Sequence, residues 1–210
     1  MTDWIRRNYD GIGPTQYPAG PYLAAVQEPY LGKVLLCIDV SGSMGMSEKE
    51  GERLKLAVDG ARRFVAEAIE GNYKVGLVLW NHDVHRNVAL SRDPGQIRKA
   101  LDQARPCGGT DITPALRLGI EQLGGLTGDR VLAIFGDGDL GPVDAALAAA
   151  RDARARGIRI VVRGLGEYAA AALSRIATDT DDDPLIPSGE ALEAGLASMA
   201  RHLTLRRKTR

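Results

Sequence analysis

The sequence predicts an α/β fold: a doubly wound, mostly parallel central sheet flanked by helices on both faces. Three observations predict it. Short apolar runs alternate with amphipathic stretches along most of the chain. The apolar runs are nearly uninterrupted, as strands buried on both faces must be. A length of 210 residues suits one domain with a core that needs no staples.

Residues 1–32 stand apart. Gly13-Pro14, Pro18, Gly20-Pro21 and Pro29 break any regular element, while Tyr9, Tyr17, Tyr22 and Tyr30 supply aromatic anchors. This segment reads as an irregular arm lying against the domain; the alternative is a partly disordered leader. Lys33–Asp39 (KVLLCID) is the first buried strand of a domain expected to span residues 33–203. Arg53 to Ile69 then places Leu54, Ala57, Val58, Ala61, Phe64, Val65, Ala68 and Ile69 at three-to-four spacing, a helix with one buried stripe. Lys74–Trp80 (KVGLVLW) is the second strand, and His85–Leu90 a short edge strand beside it.

Pro94–Ala104 and Pro114–Leu123 read as helices, the latter with Thr113 as N-cap and Pro114 at the first helical position. Arg130–Phe135 (RVLAIF) is the next strand, followed by a helix from about Pro142 to Arg156 and a strand at Ile158–Val162. A short helix over Ala169–Ala177, a last strand at Pro184–Ile186 and a closing helix over Ser188–Leu203 complete the alternation. Residues 204–210 form a basic tail, read as a solvated end.

Lys plus Arg and Asp plus Glu each number 27, so the formal net charge is zero. That balance gives no bulk attraction to nucleic acid or to an acidic membrane surface. The opening MTDWIRRNYD has scattered charges and no apolar run, unlike a secretory signal. No stretch approaches the roughly 18 apolar residues of a membrane span. Cys37 and Cys107 are too few for a disulfide framework and are expected as free thiols. The expectation is a cytoplasmic protein, and the richness in Ala, Arg, Gly and Asp suits a bacterial source.

Three polar loops concentrate the chemistry. Asp39-Val40-Ser41-Gly42-Ser43 follows the first strand directly, with Gly42 allowing the chain to curl. Gly108-Gly109-Thr110-Asp111 leads into the helix after Thr113, and Gly136-Asp137-Gly138-Asp139 follows RVLAIF. In an open α/β sheet, ligands bind where strands end at a topological switch point. Oxygen ligands without thiolate or imidazole favour a hard cation: Mg²⁺, Mn²⁺ or Ca²⁺. Asp39, Ser41, Ser43, Thr110 and Asp137 are the candidate metal ligands. Asp111 is expected to support the following helix and Asp139 to cap its turn, both behind the ligands; the alternative is that either moves in beside the ion.

Asp39-x-Ser41-x-Ser43, Thr110 and Asp137, in this order, resemble the DxSxS…T…D pattern of von Willebrand factor A-type (VWA) domains over roughly Lys33–Leu203. The resemblance implies a Rossmann-like fold and a metal-ion-dependent adhesion site. It implies that Ser41 and Ser43 ligate through their hydroxyls, that Thr110 ligates in the tight-binding state, and that Asp39 and Asp137 act largely through bound waters. One position would stay open for an Asp or Glu of a partner. The charge count supports this independently. Two carboxylates cancel a dication, hydroxyls add nothing, and the ion keeps its appetite for one more anion.

Other features have plainer readings. His82-x-x-His85 reads as surface loop, Trp80 as core or rim packing, and Cys37 as a small buried apolar residue. Cys107 lies on the loop of Thr110, and Asp179–Asp183 lacks the glycine and glutamate of an EF-hand.

The expected function is therefore a binding module, not an enzyme. Ser41 stands where a haloacid-dehalogenase-type phosphotransferase needs its acid, and there is no Walker A loop. The rival readings are a metal-independent scaffold using the N-terminal arm and a metal-dependent phosphoester hydrolase. Family analogy points to an AAA+ ATPase of the MoxR or chelatase type, or a stress or defence system, as partner.

Overall fold

A computed structural model describes residues 28–48 and 51–178, with 185–186, 195–196, 199–200 and 203. The chain divides into two compact units, Met1–Tyr30 and Leu31–Arg210. Of the first, only a 3-10 turn at Glu28–Tyr30 is described. The anchors Tyr9, Tyr17 and Tyr22, the acidic run 179–183 and the tail 204–210 lie outside the described residues.

Among the described residues of the second unit, six strands form one sheet in the order β5-β4-β1-β6-β7-β8. These are β1 (Gly32–Asp39), β4 (Tyr73–Trp80), β5 (Val84–Ser91), β6 (Arg130–Gly136), β7 (Arg159–Leu165) and β8 (Leu185–Ile186). Every pairing is parallel except β4 with β5. The expected edge strand is thus real and longer than its apolar content suggests. Its polar residues face solvent: His85, Arg86 and Asn87 are exposed.

The strands are apolar throughout because each side chain enters one of two cores. Val34, Leu36 and Ile38 of β1 point into the first, while Leu35 and Cys37 point into the second. The first core is roofed by α1 (Arg53–Glu70) and α2 (Gly95–Asp102), the second by α3 (Thr113–Gly124) and α4 (Val143–Ala155). The helical stripe read from the sequence is the buried face of α1, with Phe64 fully enclosed. Residues 195–196, 199–200 and 203 of the expected closing helix are helical, and Leu196, Met199, Ala200 and Leu203 reach the first core. The fold is the doubly wound sheet that the sequence predicts.

Two local expectations are corrected. The helix expected at Ala169–Ala177 is α5 (Gly166–Ser174), starting directly at the end of β7. Thr113 is not an N-cap: it is the first residue of α3, and its Oγ1 is buried without a partner. The side chain of Asp111 takes that role, its Oδ1 accepting the amide of Thr113 at 2.8 Å. A two-residue hairpin, β2 (Ser47–Glu48) with β3 (Gly51–Glu52), stands before α1.

Consecutive parallel strands leave β1 in opposite directions, toward β4 on one side and β6 on the other. The carboxyl ends of β1 and β6 therefore flank the switch point, where an α/β sheet opens a crevice.

Candidate functional site

All of β1 is buried, so Asp39 arrives at the sheet edge with no solvent exposure. The amide of Val40 still pairs with the Trp80 carbonyl at 2.8 Å, and the chain curls only after it. The curl is a 3-10 turn over Gly42–Gly45, pinned by the fully buried Met44. Within it the amide of Ser41 donates to Asp39 Oδ1 at 2.7 Å, and the Ser41 and Ser43 hydroxyls lie 3.0 Å apart. Three of the predicted ligands thus share one turn.

Gly42 serves this turn by lacking a side chain rather than by an unusual φ. Its amide donates to the Gly108 carbonyl at 3.1 Å, and a Cβ there would lie 3.3 Å from that oxygen. The amide of Cys107 adds a second tie, to the Val40 carbonyl at 2.8 Å. Together these bonds dock the loop carrying Thr110 onto the loop carrying the serines. The third loop closes the ring. Ile112 donates to the Leu140 carbonyl at 3.3 Å, and Gly141 packs so closely that a Cβ would come within 2.7 Å of the Thr110 carbonyl. Gly136 meets Asp39 itself, its would-be Cβ being 3.2 Å from Oδ2. Asp139 Oδ1 accepts the amide of Gly141 at 2.8 Å, within its own turn.

The electrostatics centre on Asp39. Its Oδ2 is buried and has no hydrogen-bond partner. Burial pushes the carboxyl from its ordinary 3.8 up to about 7, and the charge of Asp137 adds to the push. The hydrogen bonding of Ser41 pulls the other way without winning, and so does the nearby amide of Asp137. A buried carboxylate oxygen with no partner, beside two hydroxyls and a second carboxylate, is a donor set that fits a hard cation. Asp39, Ser41, Ser43 and Asp137 could hold one, with Thr110 supplied from the adjoining loop.

Two residues at the site escaped the sequence reading. Arg53, first in α1, donates from Nη1 to Asp137 Oδ2 at 3.2 Å. A cation in the first turn of a helix opposes the helix dipole, and that anomaly is the signal that could have flagged it. Asn81, only 4% exposed just after β4, is the hub of the second loop. Its Nδ2 donates to the Cys107 carbonyl at 3.1 Å, its Oδ1 accepts from the Asp83 amide at 3.0 Å, and its carbonyl accepts from the Asp111 amide at 2.7 Å. Asn81→Ala should cost about 2 kcal/mol in urea denaturation, because the buried Asn81 side chain gives up its hydrogen bonds with the Cys107 carbonyl and the Asp83 amide.

The histidines border the second loop, and a Cβ on Gly108 would lie 2.7 Å from His82 Nδ1. His82 and His85 are exposed, and His85 Nδ1 lies 4.0 Å from Cys107 Sγ. Among the described residues, no three His, Cys, Asp or Glu side chains converge. Trp80 is fully buried in the second core, and burial lifts the Cys37 thiol to about 12.

The von Willebrand factor type A domain model matches residues 34–139, which is half of the chain and includes all three loops. A comparison with curated proteins returns no match. Several solved structures share the fold. The vWF domain of the type V pili tip protein Mfa5 from Porphyromonas gingivalis is 16% identical with a TM-score of 0.73, over 84% of this chain and 96% of that one. The pilus adhesin SpaC from Lactobacillus rhamnosus GG is 18% identical with a TM-score of 0.71, over 83% of this chain. This chain spans about a third of SpaC, 31% of its length. The SpRpn10 VWA domain is 17% identical with a TM-score of 0.68, covering 80% of this chain and 95% of that one. The chain belongs to the von Willebrand factor type A domain family.

Proposed function

We propose that this VWA domain is a metal-dependent docking module, in which a divalent ion held by Asp39, Ser41, Ser43, Thr110 and Asp137 takes a carboxylate from a protein partner. One observation carries the reading: Asp39 is fully buried with an unpartnered Oδ2, beside two serine hydroxyls 3.0 Å apart. Burying a carboxylate in that state is costly unless a cation compensates it. When bound, the ion would supply a Lewis-acidic position for one anionic oxygen.

The chain's own residues do the rest. Ser41 and Ser43 supply neutral oxygens, so the site does not accumulate negative charge. The ties between Gly42 and Gly108 and between Ile112 and Leu140 hold three loops in one arrangement before a partner arrives. Such preorganisation lowers the ordering cost of docking. The hydroxyl-rich set favours Mg²⁺ or Mn²⁺ over Ca²⁺. That the similar folds include a pilus adhesin and a pilus tip protein supports docking over catalysis. Within this reading the site has no catalytic role. The two unpaired thiols suit a cytoplasmic setting, and a trans-acting AAA+ ATPase presenting an Asp or Glu is the partner we favour.

The test is calorimetric titration of Mg²⁺ and Mn²⁺ into wild type and Asp39→Ala, followed by pull-down from source cells with and without EDTA. Wild type is expected to give saturable heat that Asp39→Ala lacks, and EDTA to release the partner. Equal heats from the two proteins would sink the proposal.

A further inference from the structure

Resting on the docking reading, we propose that Arg53 is an internal competitor of the divalent ion, a cation built into the fold that holds the Asp137 carboxylate and must yield it. Arg53 Nη1 lies 3.2 Å from Asp137 Oδ2, and the two side chains are only 23% and 7% exposed. The pair is sheltered enough to resist the screening that weakens surface ion pairs. It also joins residues 84 apart in sequence, the start of α1 and the loop directly after β6.

The position of the arginine is informative. As the first residue of α1 it faces the positive end of the helix dipole, an unfavourable place for a cation. Asp137 offsets that cost. Met46 Sδ lies 4.0 Å from the same Nη1, so the guanidinium is flanked by an exposed thioether at the site's rim.

Asp137 Oδ2 therefore serves a guanidinium, while the docking reading asks the same carboxylate to serve the ion. An N–H donor on Oδ2 removes acceptor capacity from the ion's surroundings, and the arginine charge repels a dication directly. Both effects weaken metal binding, and by linkage the apparent affinity falls with the fraction of Asp137 held by Arg53. The arginine also changes the charge balance. Two carboxylates, one guanidinium and one dication leave an excess positive charge, which an incoming carboxylate neutralises. Arg53 thus makes the ion hold better with a partner than alone.

Mn²⁺ titrations of Arg53→Gln and Arg53→Lys, alongside wild type and Asp39→Ala, test this. Arg53→Gln is expected to bind Mn²⁺ about tenfold more tightly than wild type, the effect of one charge-assisted contact. Arg53→Lys, which keeps the charge without the fork, should fall between them and stands in if the glutamine variant misfolds. Adding acetate should tighten Mn²⁺ binding more in wild type than in Arg53→Gln. Unchanged or weaker Mn²⁺ binding in both arginine variants overturns the inference while leaving the docking reading intact. If wild type binds Mn²⁺ no better than Asp39→Ala, the docking reading falls and this inference falls with it.

Discussion

Replacing Asp39 by asparagine is expected to stabilise the EDTA-treated protein at pH 8 while abolishing its response to Mg²⁺. The side chain is fully buried, and its carboxyl is lifted from 3.8 to about 7 chiefly by that burial. A folded-state value above the unfolded one means that the native protein holds the proton more tightly. Stability in the absence of metal therefore falls as pH rises from near 4 to near 7, and stays low above that. The span from 3.8 to about 7 sets an upper limit of about 4 kcal/mol on the penalty at pH 8. Asparagine keeps a carbonyl for the Ser41 amide and carries no charge, so it removes the penalty while keeping the turn.

Thermal melts in EDTA across pH 4 to 8 check it. The variant should melt several degrees higher at pH 8, at roughly 2–4 °C per kcal/mol for a chain of this size. The gap should close toward pH 4. A variant that melts at or below wild type at pH 8 would show that Asp39 ionises without cost. The same sign predicts that Mg²⁺ uptake by wild type at pH 6 releases protons, visible as a buffer-dependent calorimetric heat. A residue whose buried charge costs stability without metal is thus the one that the docking reading needs most.

What the sequence made legible follows from how each feature is encoded. β1 and β6 were visible because a strand buried on both faces writes its burial into adjacent residues, as KVLLCID and RVLAIF do. The stripe on α1 was visible because its period is local. Asp39, Ser41 and Ser43 were visible as one turn for the same reason, and the Asp111 support of α3 follows from its place two residues ahead of Thr113. β5 is legible as a short edge strand beside β4, though not at its full length, since pairing with β4 rather than apolar content extends it to Ser91.

Arg53 and Asn81 were not legible because their partners are remote. The first meets Asp137 across 84 positions, and the second meets Cys107 across 26. Neither spacing leaves a periodic trace. Gly42 belongs to the turn that the sequence predicts, but what the turn needs of it is set by folding. A glycine after a strand suggests freedom of φ, whereas here the need is space against the Gly108 carbonyl. A close approach between distant loops can be found only once the chain is folded.

Gly138 and Gly164 bring a different expectation, since both press on one stretch of backbone. Gly138, in the third loop, has φ of +118°, which L side chains strongly resist, and a Cβ there would sit 2.6 Å from Ala169 Cα. Gly164, near the end of β7, would drive a Cβ into the carbonyl carbon of Ala169 and the amide of Ala170. These are main-chain atoms of α5, so no rotamer change relieves the overlap, and Ala169 is fully buried. Each glycine-to-alanine change is expected to cost about 3 kcal/mol or more, read as a lowered urea midpoint. The two should differ at the site. Gly138→Ala displaces the residue next to Asp137 and should weaken Mn²⁺ binding in whatever fraction stays folded. Gly164→Ala shifts α5 against β7, away from the serine turn, and its folded fraction should bind Mn²⁺ as wild type does. Equal losses of Mn²⁺ affinity in both would mean that α5, rather than the third loop, sets the position of Asp137.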